Sequence, residues 1–206
     1  LGIATERGDV IGAWACLHIP DIFVEVDWME GHEMSDEAVA KVAWAFARHG
    51  IALHIDRGEM GGGGQVTHLD EIYYSDPADP DDTHGDMDDI YDYKDAYFSN
   101  AREGIFHWCL MAHNERGTSN WGQGDVRSDT FAVYTGHSFN VASVFMHELG
   151  HNLNVIDWDT PGTDEDSDGT PENYCNDSNC VMKRGDTNNI DYCTHHWSQV
   201  NIASSF

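Results

Sequence analysis

The chain has 206 residues, 40% hydrophobic and 11% aromatic, enough for one domain with an apolar core. Asp and Glu number 37 against 10 Lys and Arg, a formal net charge of −27. That balance excludes nucleic acid as a partner, because phosphate binding needs cations, and no apolar run approaches the roughly 18 residues of a membrane-spanning helix.

Residues 21–29, DIFVEVDWM, alternate apolar and acidic side chains and predict a strand. Residues 35–50 predict a helix. Ser35 is its N-cap, Asp36 and Glu37 sit in the first turn, and Ala38, Val39, Val42, Ala43 and Phe46 lie near one face. Gly50 is placed to end it. Residues 51–56, IALHID, predict a second strand; residues 58–65, GEMGGGGQ, read as a flexible loop. Residues 70–76, DEIYYSD, read as a short strand, and residues 76–89 as an acidic, proline-containing loop without core residues. A short helix is expected over 93–103. Strands are expected over 104–113, GIFHWCLMAH, buried on both faces, and over 131–136, FAVYTG. A long helix over 140–154 follows, capped by Asn140 or Ser138. A closing helix over 194–203 has Thr194 as its cap. The order predicts an α/β (α+β) fold with no internal repeat.

The long helix carries FMHELGHNLNVID, residues 145–157, with His147, Glu148 and His151 in the order H-E-x-x-H. Residues four apart share a helix face, so the two imidazoles can serve one ion. Zinc takes neutral nitrogen ligands at about 2.0–2.1 Å and keeps a place open in catalytic sites. Glu148 is then the general base toward a water activated by the ion. The plainer reading is an amphipathic helix with two surface histidines. Val141, Val144, Phe145 and Leu149 supply its packing, and Ala142 and Gly150 permit close approach.

Asn154 lies three residues beyond His151, and Asp157 three beyond that. The run resembles the metzincin clan of zinc peptidases, with the motif H-E-x-x-H-x-x-G-x-x-H, sometimes ending in Asp. Asn154 stands where the clan has Gly, and is the best other residue for the left-handed turn needed there. The resemblance implies a zinc ion on His147, His151 and Asp157, with Glu148 catalytic. It implies a methionine turn at Met182, in NCVMKRG, 25 residues past Asp157. The alternative for Met182 is a plain core methionine. Some clan members have Tyr two residues after this Met; here Arg184 stands there. DIFVEVDWMEGH and GIFHWCLMAH also look like segments of microbial, including haloarchaeal, secreted metzincin-like proteins.

The resemblance further implies a twisted mixed sheet, a backing helix and an active-site helix in one catalytic domain. Its N-terminal lobe would cover about residues 1–153 and a small irregular C-terminal lobe about 154–206. The implied activity is endopeptidase cleavage of proteins or peptides laid along an edge strand. FAVYTG and the GGGG loop are the candidates for the cleft wall. Two alternatives are an aminopeptidase, which needs an acidic group for the substrate amine, and a catalytically inactive calcium- or zinc-binding module.

The acidic run DEDSDGTPE offers Asp164, Asp166 and Asp168 to calcium, with Gly169 at the turn. Cys175 stands where an EF-hand needs Glu, so the run is no EF-hand, and a solvated loop is the other reading. The cysteines are Cys16, Cys109, Cys175, Cys180 and Cys193, an odd number that cannot all pair within one chain. CNDSNCVM resembles the archaemetzincins, where such a pair helps to hold a structural zinc. The set here would be Cys175, Cys180, Cys193 and His196, with His195 as the alternative to His196. In that family the first Cys directly follows the third ligand; here it comes 18 residues later. A Cys175–Cys180 disulfide competes with this reading. Cys16 and Cys109 are expected as buried thiols or as one bridge.

Lys occurs only at Lys41, Lys94 and Lys183. A surface so acidic suits molar salt, where the Debye length shrinks to about 3 Å and self-repulsion fades. A calcium-loaded secreted protein is the second account. The chain starts at Leu1 and shows no signal peptide, so the expectation is a processed, extracellular, monomeric form.

Overall fold

The computed structural model describes residues 19–74, 87–156, 175, 177–183 and 188–202. Its elements in chain order are β1 (Asp21–Met29), α1 (Asp36–Ala47), β2 (Ala52–Asp56), β3 (Gln65–Val66) and α2 (Ile90–Tyr97). There follow β4 (Phe106–Ala112), β5 (Gly122–Gly124), β6 (Thr130–Tyr134), α3 (Val141–Asn152) and α4 (Thr194–Trp197). The fold is mixed α/β around one six-stranded sheet of order β2-β1-β4-β6-β5, with β3 also paired to β1. All pairs are parallel except β5 with β6.

Alternation explains the layers. In β4, Cys109 and Met111 join one apolar cluster, while Trp108, Leu110 and Ala112 join the other. Phe131 and Val133 of β6 divide from Ala132 and Tyr134 in the same way. Helices α1 and α3 cover the first face through Val42, Phe46, Phe145 and Leu149. Helix α2 covers the second through Ile90 and Tyr93. Cys175, Cys180, Val181, Met182 and Tyr192 join the first cluster, so the described C-terminal residues share the core of the N-terminal ones.

Most predicted elements are present, and Ser35 caps α1 by accepting from the Ala38 amide at 3.2 Å. Four expectations are corrected. Of the segment 70–76, Ser75 and Asp76 lie outside the described residues, and residues 70–74 form only isolated bridges, Ile72 with Glu115 and Tyr73 with Asp89, because among the described residues no strand runs beside them for long enough. Helix α2 starts at Ile90 rather than 93, since Asp89 accepts from the Tyr91 and Asp92 amides and sets the start. Asn140 holds the N-cap position of α3, but makes no side-chain cap bond. Helix α4 is one turn long, and its cap is Cys193 rather than Thr194.

The GGGG loop is fixed in place. Asp56, fully buried, accepts from the Gly58, Met60 and Gly62 amides at 2.8–2.9 Å. A Cβ on Gly62 would fall 2.1 Å from the Arg102 guanidinium, and one on Gly63 (φ +75°) 2.6 Å from the Asp56 carbonyl. Arg102 reaches Asp56 at 2.6 Å and buried Glu25 at 2.7 Å, the second contact ionic but misaligned for a hydrogen bond. Burial pushes Glu25 up to about 7, and Arg102 only partly offsets it. The folded chain therefore holds a proton there that the unfolded chain releases near pH 4.5. That contribution is fully present below pH 4.5 and lost as pH rises through 7. Relative to Glu25→Gln, the native protein is expected to lose about 1–2 kcal/mol between pH 5 and pH 8, after allowing for screening. Urea titrations at both pH values measure it, and parallel changes in the two proteins refute it.

Candidate metal centre

Helix α3 ends in a Schellman turn. The Asn154 amide donates to the His151 carbonyl at 2.9 Å, and the Val155 amide to the Gly150 carbonyl at 2.8 Å. Asn154 takes φ +69°, the left-handed backbone expected of it, and its side chain accepts from Arg127 Nε at 2.6 Å. The chain thus turns sharply three residues after His151. Asp157, the expected third ligand, lies outside the described residues, as do Asp164, Asp166, Asp168, Arg184 and Cys16.

The two imidazoles converge. His147 Nδ1 lies 2.9 Å from the Val181 carbonyl, and His151 Nδ1 3.1 Å from the Val155 carbonyl. A carbonyl only accepts, so each Nδ1 carries the proton and each Nε2 keeps its lone pair. The Nε2 atoms stand 3.2 Å apart. Two nitrogens at about 2.0–2.1 Å on one tetrahedral ion are about 3.3–3.4 Å apart. The pair fits a zinc-class ion, and the carbonyl partners are the outer support that metal-binding histidines use. Glu148, buried between them in sequence, groups with both within 4.8 Å.

Strand β5 lies against this helix through its glycines. A Cβ on Gly122 would fall 2.7 Å from Glu148 Oε1 and 2.8 Å from Val144, and one on Gly124 2.9 Å from the Glu148 carbonyl. Sequence reasoning missed β5, for it carries no apolar side chain. The available signal was G-x-G, which puts both glycines on one strand face. It also corrects the expected cleft wall. β6 is interior, flanked by β4 and β5, so FAVYTG has no free edge; the GGGG loop is folded around Asp56.

Met182 is fully buried beneath α3, where a Cβ on Gly150 would fall 3.1 Å from its sulfur and 2.8 Å from the Tyr192 hydroxyl. Tyr192 donates to the Met146 carbonyl at 2.5 Å. Its role was not legible in the sequence.

The second cluster brings Cys175, Cys180, Cys193 and His196 together, with one ligand atom from each within 4.8 Å of the others. His196 Nδ1 is 3.2 Å from Cys180 Sγ and 3.1 Å from Cys193 Sγ. His195 is exposed and lies outside the cluster, which decides between the two histidines. The Cys193 amide donates to Cys180 Sγ at 3.2 Å and the Asp177 amide to Cys175 Sγ at 3.4 Å, the support thiolates use. Around one tetrahedral zinc, three sulfurs and one nitrogen stand about 3.5–3.8 Å apart; the two nitrogen–sulfur distances here, 3.1 and 3.2 Å, are somewhat shorter, and all four atoms lie close enough together for one such ion. Burial pushes the Cys180 thiol up to about 11, so a thiolate there needs a cation beside it. The alternative Cys175–Cys180 disulfide is not formed, and among the described residues Cys109, Cys175, Cys180 and Cys193 make none. Cys109 is a fully buried thiol, as expected of it.

No protein-family model matches this chain, and a search of curated proteins finds no match to it.

Proposed function

We propose that the chain is a zinc-dependent endopeptidase with a metzincin-like fold. The observation that carries this reading is the convergence of the His147 and His151 Nε2 atoms, 3.2 Å apart, beside Glu148 and under a glycine-lined edge strand. Zinc held by His147, His151 and Asp157 would polarise the scissile carbonyl and make an attacking water more acidic. Glu148 takes the proton from that water on its carboxylate and passes it to the amine nitrogen as the C–N bond breaks. The Val181 and Val155 carbonyls hold both imidazoles in the ligating tautomer throughout. β5 pairs with β6 alone among the described strands, so its outer edge can take an extended substrate as an added strand.

Cys175, Cys180, Cys193 and His196 hold a second, structural zinc in this proposal; calcium on Asp164, Asp166 and Asp168 is its third ion. The substrates are proteins or peptides, met outside the cell by a monomer in concentrated salt. Among the described residues no helix is long and apolar enough to cross a membrane.

The test is cleavage of peptides blocked at both ends, assayed in molar salt before and after chelation. We expect the native protein to cut them, a chelator to abolish cleavage, and zinc to restore it. Cleavage only of peptides with a free N-terminus would replace the endopeptidase with an aminopeptidase. No cleavage of either, with zinc bound, would leave a metal-binding module.

A further inference from the structure

A third group of ligating side chains gathers at the carboxyl ends of the parallel strands. The register sets Met29 beside Val66, Trp28 beside Met111, and Ala112 beside Tyr134. His32, His68, His113 and Thr135 follow β1, β3, β4 and β6 by three, two, one and one residues. Three histidines distant in sequence therefore meet, with ring centroids 4.8–5.6 Å apart and one ligand atom from each within 4.8 Å of the others. The carboxyl edge of a parallel sheet is where α/β proteins place their ligands.

The partners of these rings prepare them for a cation. The Thr135 hydroxyl donates to the Ala112 carbonyl at 3.4 Å, so its oxygen accepts from His32 Nδ1 at 2.5 Å. His68 Nδ1 lies 3.3 Å from the Glu30 carbonyl. Both rings thus keep Nε2 as a lone-pair donor, the arrangement that supporting partners impose on metal-binding histidines. His113 Nδ1 is buried and finds no hydrogen bond among the described residues. The exposed Asp70 carboxylate stands 3.4 Å from His68 Nε2 and 3.9 Å from His113 Nδ1, so negative charge lies beside the group. The next turn clamps the group: the Gly136 amide donates to the His113 carbonyl at 2.8 Å, and a Cβ there would fall 2.5 Å from the His113 ring. Burial, then the two neighbouring imidazoles, push the His32 pKa down, which favours the neutral state of that ring. Imidazole nitrogens select transition metals over calcium, which takes oxygen.

We propose that His32, His68 and His113 form a further binding site for a divalent transition metal. It shares no residue with the H-E-x-x-H helix or the cysteine cluster, and it does not depend on the peptidase reading. A bound ion ties together the segments that follow β1, β3 and β4.

The test counts zinc on the full chain by native mass spectrometry after loading and dialysis. His68→Ala and His113→Ala are each expected to lose one zinc ion per chain, and the double variant still only one. His147→Ala combined with His68→Ala loses two. If the H-E-x-x-H helix holds no zinc, His147→Ala leaves the count unchanged while His68→Ala still lowers it, so the two readings fail separately. A full count in His68→Ala overturns the proposal. Should His113→Ala misfold, side-chain nitrogen spectra of the native protein decide in its place. Zinc is expected to shift the His32, His68 and His113 signals together, and unshifted signals overturn the site.

Discussion

Glu148→Ala is expected to lower kcat for peptide cleavage by 10²–10⁴-fold while leaving the zinc count unchanged, a loss of about 3–5 kcal/mol in transition-state stabilisation. The reason lies in α3 and β5 together. Glu148 follows His147 directly, so its carboxylate belongs to the same turn as the proposed ligands but would not itself be needed to hold the ion. Gly122 has no side chain to displace that carboxylate, whose Oε1 lies 2.7 Å from the position a Cβ would take. The position therefore joins a base to the edge on which a substrate would lie. Glu148→Gln keeps the shape and removes the base, so it should fail as badly as Ala. Zinc counting and steady-state kinetics on both variants measure this. Retained activity in Glu148→Gln would sink the general-base assignment, and loss of zinc in either variant would make Glu148 a ligand instead.

How much of this was legible depends on where the information sits. Local pattern exposed β1 through its alternation, α1 through its cap and one apolar face, β4 through a continuous apolar run and α3 through its H-E-x-x-H helix. The left-handed Asn154 was legible too, because its conformation is a property of one residue and its neighbours. What stayed hidden depends on pairing across long separations. β5 is three residues of Gly and Gln, and becomes a strand only because β6 runs beside it. His32, His68 and His113 carry no spacing signal, for parallel register alone brings them to one place. The Val181 carbonyl, which fixes the His147 tautomer from 34 residues away, is a backbone group that no motif spells.

That carbonyl carries the second large prediction. Cys180, Val181 and Met182 are consecutive, and each has a different task. Cys180 Sγ sits in the Cys–His cluster, the Val181 carbonyl accepts from His147, and Met182 packs beneath Gly150. Tyr192 and Cys193 repeat the arrangement from the other side, one donating to the Met146 carbonyl and the other joining the cluster. The cluster is thus the anchor for both segments that grip α3 at Met146 and His147. In the proposed zinc cluster Cys180→Ser would remove a soft ligand, and one residue later the Val181 carbonyl would lose its fixed position. Outer partners of a metal-binding histidine are worth about 10–100-fold in metal affinity. The zinc concentration giving half-maximal cleavage is therefore expected to rise by that factor in Cys180→Ser, with kcat largely restored at excess zinc. A purely structural defect would not recover on adding zinc. Activity titrated with zinc, alongside near-ultraviolet circular dichroism, separates the two. An unshifted midpoint in a folded variant would mean that the two clusters act independently, and that α3 alone holds His147 in its ligating tautomer.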